Sequence, residues 1–68
     1  MKPQKNQYTF RVSGTVEQYM ENAFSEEEAK RQLGALLLQK DGVSPQSPEY
    51  QKLLSAYTTE RLRMVYVR

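Results

Sequence analysis

The apolar residues of this chain follow two different periodicities, and the order of these periodicities constrains the fold more than any other feature. Near the N-terminus the even positions are apolar and the residues between them polar, at Tyr8, Phe10, Val12, Val16 and Met20. Such alternation marks a strand with one buried face. The spacing then becomes helical, and over the final segment it alternates again. The chain is therefore predicted to run strand, helix, helix, strand.

Gly14 interrupts the first alternating segment and leaves two interpretations open. The segment is either one long strand bent at the glycine or a hairpin around Ser13-Gly14. A two-residue hairpin loop would set Phe10 opposite Glu17 and break the pattern, whereas a three-residue loop or a bent strand preserves it. We favour a hairpin with its second arm at 15–21, because three strands are easier to stabilise than two.

The first helix is predicted over residues 25–40 from the signals at its two ends. Ser25 and Glu28 have the spacing of a capping box, and Phe24 precedes the cap where a staple residue would lie. Gly42 is placed to end the helix. Gly34 lies inside it, where a missing side chain suggests close packing against the sheet.

The second helix is predicted over residues 48–57. Ser47 is its expected cap, Pro48 its first helical residue, and Thr58-Thr59 its end. Its apolar face has i, i+3, i+4, i+7 spacing and consists of Tyr50, Leu53, Leu54 and Tyr57.

The last segment alternates with apolar residues on both sides. One face is predicted to hold Leu62, Met64 and Tyr66, and the other Arg61, Arg63, Val65 and Val67. The strand is expected to pair with the first one. The resulting fold class is α+β in β(β)ααβ order, with two helices on one face of a two- or three-stranded, mainly antiparallel sheet. Residues 7–68 form the single domain and residues 1–6 a flexible lead-in.

Composition narrows the chemistry that this chain can perform. It contains no cysteine and no histidine, which removes disulfides, the common transition-metal sites and most nucleophilic catalysis. We therefore expect no enzymatic activity, no cofactor and no metal. No signal peptide or membrane-length apolar run is present in the sequence, and the expected location is the cytoplasm.

Protein–protein interaction is the first functional hypothesis. The last strand is apolar on both faces, so its exposed edge or outer face would suit a partner. The candidate interface comprises Met64, Val65, Tyr66 and Val67. Because a domain of 68 residues has a small core, the expected partner is a second copy or another protein.

Binding of RNA or single-stranded nucleic acid is the alternative hypothesis. A sheet face with arginine and aromatic side chains can contact phosphates and stack on bases. The candidate contacts on one outer sheet face are Arg11, Tyr19, Arg61 and Arg63. Glu17 and Glu21 weigh against this hypothesis, since they are expected to share or border the same surface.

One family resemblance covers the first half of the chain. The segment Phe10-Arg11-Val12-Ser13-Gly14, followed by Ser25-Glu26-Glu27-Glu28-Ala29, resembles the archaeal ribosomal protein LX family. Members of that family are small RNA-binding α+β domains. The predicted helix at 48–57 departs from the family's pattern, so no residue role is carried over to this chain.

Overall fold

The computed structural model describes residues 4–68, which form three strands and two helices. The strand order across the sheet is β2-β1-β3, and both neighbouring pairs are antiparallel. This confirms the predicted fold class with three strands. The elements are β1 (Asn6–Val12), β2 (Gln18–Ala23), α1 (Glu26–Lys40), α2 (Tyr50–Ala56), a π-helical turn (Tyr57–Arg61) and β3 (Leu62–Val67). Of the predicted lead-in, residues 1–3 lie outside the described residues, and Asn6 already belongs to β1.

The hairpin between β1 and β2 closes with a four-residue loop, Ser13–Val16, and this number sets the register of the sheet. The Val12 N–H donates to the Glu17 carbonyl at 3.2 Å, and Gly14 lies in the loop with φ of 82°. A loop with an even number of residues sends even positions on β1 and odd positions on β2 to the same face. The prediction that Val16 and Met20 join the buried even positions is therefore wrong, and their side chains are 92% and 63% exposed.

The core lies between the inner face of the sheet and the two helices. Tyr8, Phe10 and Val12 of β1 are buried, with Phe10 fully inaccessible to solvent. The helical and β3 side chains that pack against them are Ala29, Leu33, Leu37, Leu38, Leu54, Tyr57 and Leu62. All of these residues lie on one side of the sheet, and within residues 4–68 no element covers its other face.

The C-terminal end of α1 forms as the local sequence predicts, and at the N-terminal end only the Ser25 half of the predicted capping box forms. The Ser25 hydroxyl accepts the Glu28 backbone N–H at 3.2 Å, whereas the Glu28 carboxylate accepts from Gln32 at 2.9 Å rather than turning back to the cap. At the other end Gly42 has φ of 79°. Its N–H donates to the Gln39 carbonyl, and the next N–H donates to the Leu38 carbonyl, which completes a Schellman motif.

Gly34 was predicted to pack against the sheet, but it packs against α2. A β-carbon at this position would lie 3.0 Å from Leu54 Cδ1 and 3.3 Å from Tyr57 Cβ. The missing side chain therefore lets the two helices approach closely.

The second helix begins later and ends differently than predicted. Ser47 and Pro48 belong to a turn in which the Tyr50 N–H donates to the Ser47 carbonyl at 3.1 Å, so α2 starts at Tyr50. The helix does not stop at Thr58-Thr59 but continues through the π-helical turn to Arg61. Within the described residues, no helix has the length and apolarity needed to cross a membrane.

A β-bulge interrupts β3 and changes which faces its side chains occupy. Thr9 is paired with Tyr66 and Phe10 with Met64, which leaves Val65 as the extra residue. Beyond this bulge the alternation reverses. The sequence pattern predicts Tyr66 on the same face as Leu62 and Met64, and this prediction is wrong because the bulge moves Tyr66 to the other face. Val67 instead lies opposite the buried Tyr8.

Candidate nucleic-acid interface

The uncovered side of the sheet, which we call the outer face, is built from three rows of side chains that cross the strands. The register places Gln18, Arg11 and Arg63 in one row and Met20, Thr9 and Tyr66 in the next. A third row contains Asn22, Gln7 and Arg68, since Gln7 and Arg68 exchange backbone hydrogen bonds at 3.4 and 2.9 Å. Rows two residues apart along a strand lie roughly 7 Å from each other.

None of the three rows of the outer face contains an acidic side chain. Glu17 and Glu21, which were expected to share or border it, are paired with Val12 and Tyr8 and so belong to the side of the helices. The reason is again the four-residue loop, which inverts the faces of β2. The main objection to an anionic ligand on this face is therefore removed by the register.

The outer face contains three arginines. Arg11 and Arg63 are directly opposite each other on β1 and β3, and Arg68 belongs to the third row. Within residues 4–68 none of the three forms an ion pair. Their guanidinium groups are donors with planar fork geometry, which suits phosphate oxygens.

An apolar hollow occupies the centre of the outer face. It has a volume of about 440 Å³ and is lined by Thr9, Gln18, Met20, Val65 and Tyr66. The bulge contributes to this hollow because it brings two consecutive β3 residues, Val65 and Tyr66, to its wall. Both side chains are about half exposed, at 50% and 54%.

A second exposed aromatic residue, Phe24, lies directly after the end of β2. Phe24 follows Ala23, which is paired with Asn6, and the Lys5 ammonium lies 5.4 Å from the centre of the Phe24 ring. Phe24 is half exposed, so its role as a buried staple for α1 is not realised. This cation–aromatic pair was missed from the sequence because Phe24 was assigned to the helix start.

The predicted protein interface on β3 is exposed along its whole length. Met64 and Val67 are 43% and 45% exposed although they face the helix side, because β3 is an edge strand that the helices leave open. Val65 and Tyr66 belong to the hollow instead. The four residues therefore do not form one continuous surface, and the bulge between Met64 and Tyr66 interrupts the regular edge.

Tyr19 and Arg61, two of the predicted nucleic-acid contacts, lie away from Arg11 and Arg63. Tyr19 is paired with Phe10 and therefore faces the helix side. Arg61 belongs to the π-helical turn, with its guanidinium 4.5 Å from the centre of the Tyr57 ring. Both residues line a separate cleft of about 250 Å³ between the hairpin and the end of α1.

This cleft pairs each of two tyrosines with one carboxylate. The Tyr19 hydroxyl donates to Glu17 at 3.2 Å, and the Tyr57 hydroxyl donates to Asp41 at 3.5 Å. The pKa of Tyr19 is raised above 10.0, chiefly by desolvation and then by the hydrogen bond to Glu17 and the negative charge of Glu17. The Lys40 ammonium lies 5.9 Å from the centre of the Tyr19 ring. The cleft is lined by two acidic residues, Glu17 and Asp41, and two basic residues, Lys40 and Arg61. It therefore does not have the uniformly positive side-chain charge of the outer face.

No side-chain cluster suited to a metal is found within residues 4–68, where no three Asp or Glu residues converge. The outer face thus has hydrogen-bond donors around an apolar and aromatic centre. Comparison of the chain with family models, curated proteins and solved structures gives no match.

Proposed function

We propose that this protein binds nucleic acid through the outer face of its sheet. The observation that carries the proposal is the segregation of charge by the sheet register. Arg11, Arg63 and Arg68 share a bare sheet face with Tyr66, while the carboxylates of β2 lie on the other side. A nucleic acid matches the charge of this surface, since its phosphate oxygens can accept hydrogen bonds from the guanidinium groups.

The magnitude of the electrostatic contribution follows from the number of arginines. Each phosphate neutralised on a single strand contributes about 0.7 to the slope of log affinity against log salt, so three contacts predict a slope of about −2. The net charge of the whole chain is only +2. Binding therefore depends on the local arrangement of arginines rather than on an overall basic character.

Self-association through the sheet is the competing proposal, and the same residues weigh against it. Two outer faces brought together would oppose six arginines with no acidic side chain between them. Regular pairing of two β3 edges is hindered by the bulge at Val65, which is a common protection of exposed edges. The exposure of Met64 and Val67 at that edge supports self-association.

Fluorescence anisotropy with a labelled single-stranded oligonucleotide of about 12 nucleotides, a length within common site sizes, tests the proposal. Wild-type protein is expected to bind with the salt slope given above, and Arg11→Gln and Arg63→Gln each to lower the slope by about 0.7. Lys52→Gln is the matched control, because it removes the same charge from an exposed position on α2.

Two outcomes would contradict the proposal. One is the absence of binding at low salt. The other is an equal loss in the Lys52→Gln and Arg63→Gln proteins, which would indicate an effect of net charge alone. Sedimentation of the free protein at micromolar concentration addresses the competing proposal, for which a dimer that dissociates on Val67→Lys substitution is expected.

A further inference from the structure

We infer that the hollow on the outer face is a stacking site for one unpaired nucleobase, so that the ligand of this face is a single strand. This inference rests on the proposed function and specifies the ligand of the same site. It depends on a separate feature, the β-bulge, which has no part in the charge argument.

The position of the hollow suits a base flanked by phosphates. It lies in the middle row, between the row of Arg11 and Arg63 and the row of Arg68. Since the rows are roughly 7 Å apart, cations lie on both sides of the hollow along the strand direction. A nucleotide strand running along β3 would therefore place its backbone over arginines before and after the base.

The walls of the hollow match the chemistry of a base. Tyr66 offers an exposed aromatic ring, and Met20 and Val65 offer apolar surface next to it. Gln18 and Thr9 add an amide and a hydroxyl at the rim, which can hydrogen bond to base edges. The hollow has a volume of about 440 Å³ and is open to solvent, so one face of a base could lie on it.

The bulge is what makes this site possible. In a regular strand only one of two consecutive residues would point to the outer face, and the other would face the helices. Because Val65 is the extra residue opposite Thr9, both it and Tyr66 reach the hollow. A base inside a duplex is stacked on its neighbours and is not available to this ring, so the site selects single strands.

The test compares Tyr66→Ala and Tyr66→Phe with wild type on three probes. These are a labelled oligodeoxythymidine, the same backbone with abasic positions, and inorganic polyphosphate as competitor. Loss of one stacked base lowers affinity by about 5- to 150-fold. Tyr66→Ala is expected to lose this amount on oligodeoxythymidine and nothing on the abasic probe, whereas Tyr66→Phe is expected to bind both as wild type does.

The outcomes separate the two proposals. Equal affinity of wild type for the thymidine and abasic probes, or equal loss by Tyr66→Ala on both, would overturn the stacking site and leave the proposed function standing. Failure of wild type to bind any of the probes would overturn both. Because Tyr66 is half exposed, circular dichroism of the Tyr66→Ala protein serves as the check that its fold is retained.

Discussion

The cross-strand pair Arg11–Arg63 predicts that this protein gains stability when its basic face is weakened. Like charges directly opposite each other on neighbouring strands destabilise a sheet by about 0.2–1 kcal/mol. Arg63 is exposed, directly opposite Arg11, and forms no ion pair within residues 4–68. Arg63→Gln removes the repulsion, so we expect the free energy of unfolding to rise by about 0.5 kcal/mol.

Thermal unfolding followed by circular dichroism measures this gain. For a domain of this size 1 kcal/mol corresponds to about 4–8 °C in Tm, so a rise of about 2–4 °C is expected at low salt. The gain should vanish near 1 M salt, where the Debye length falls to about 3 Å. Lys52→Gln, which alters no cross-strand pair, should leave Tm unchanged.

The Arg63→Gln substitution is expected to change stability and nucleic-acid affinity in opposite directions. The same Arg63→Gln substitution is expected to weaken nucleic-acid binding while it stabilises the fold, as is common for binding surfaces. A Tm for Arg63→Gln at or below that of wild type at low salt would refute the reasoning. A rise in Tm that persists unchanged at high salt would also refute it, because its cause would then not be charge repulsion.

Three further predictions concern the fold and the cleft. Gly34→Ala should lower the free energy of unfolding by about 1 kcal/mol in urea titration, because overpacking against α2 outweighs the better helix propensity, and a more stable variant would contradict the 3.0 Å approach. Because the pKa of Tyr19 is raised above 10.0, its stabilising contribution is present below pH 10 and lost as pH rises through the folded-state value. Glu17→Gln should lower that pKa in an absorbance titration, and an unchanged curve would argue against the hydrogen bond. Deleting Val65 should leave a regular open edge on β3 and so promote self-association in sedimentation, whereas a monomer would show that the bulge does not protect this edge.

The parts of the fold that could be predicted are those with local signals. The cap at Ser25 and the stop at Gly42 define α1, because each hydrogen-bonds within its own turn. The order strand, helix, helix, strand follows from periodicity together with the helix caps, whereas periodicity left open whether the first segment is one strand or a hairpin. The start of α2 was placed too early since Ser47 and Pro48 suit a turn as well as a helix cap.

The composition of the outer face could not be predicted because it depends on two single-residue events. A hairpin loop of four residues instead of three moves Met20 outward and Glu21 inward. One extra residue in β3 moves Tyr66 outward. Alternation in the sequence is compatible with either register, so of the predicted arginines only Arg11 and Arg63 lie together on this face. Arg61 lies over Tyr57, and Arg68 was not among the predicted contacts.

Binding through the outer face is tested most directly by mapping backbone amide chemical shifts during titration with a single-stranded oligonucleotide. The largest changes are expected on β1, β2 and β3, at the residues of the three outer rows, with Tyr66 and Arg63 among them. Residues of α2 on the opposite side should remain unchanged. Changes concentrated on the helices, or on the cleft around Tyr19 and Arg61, would contradict it.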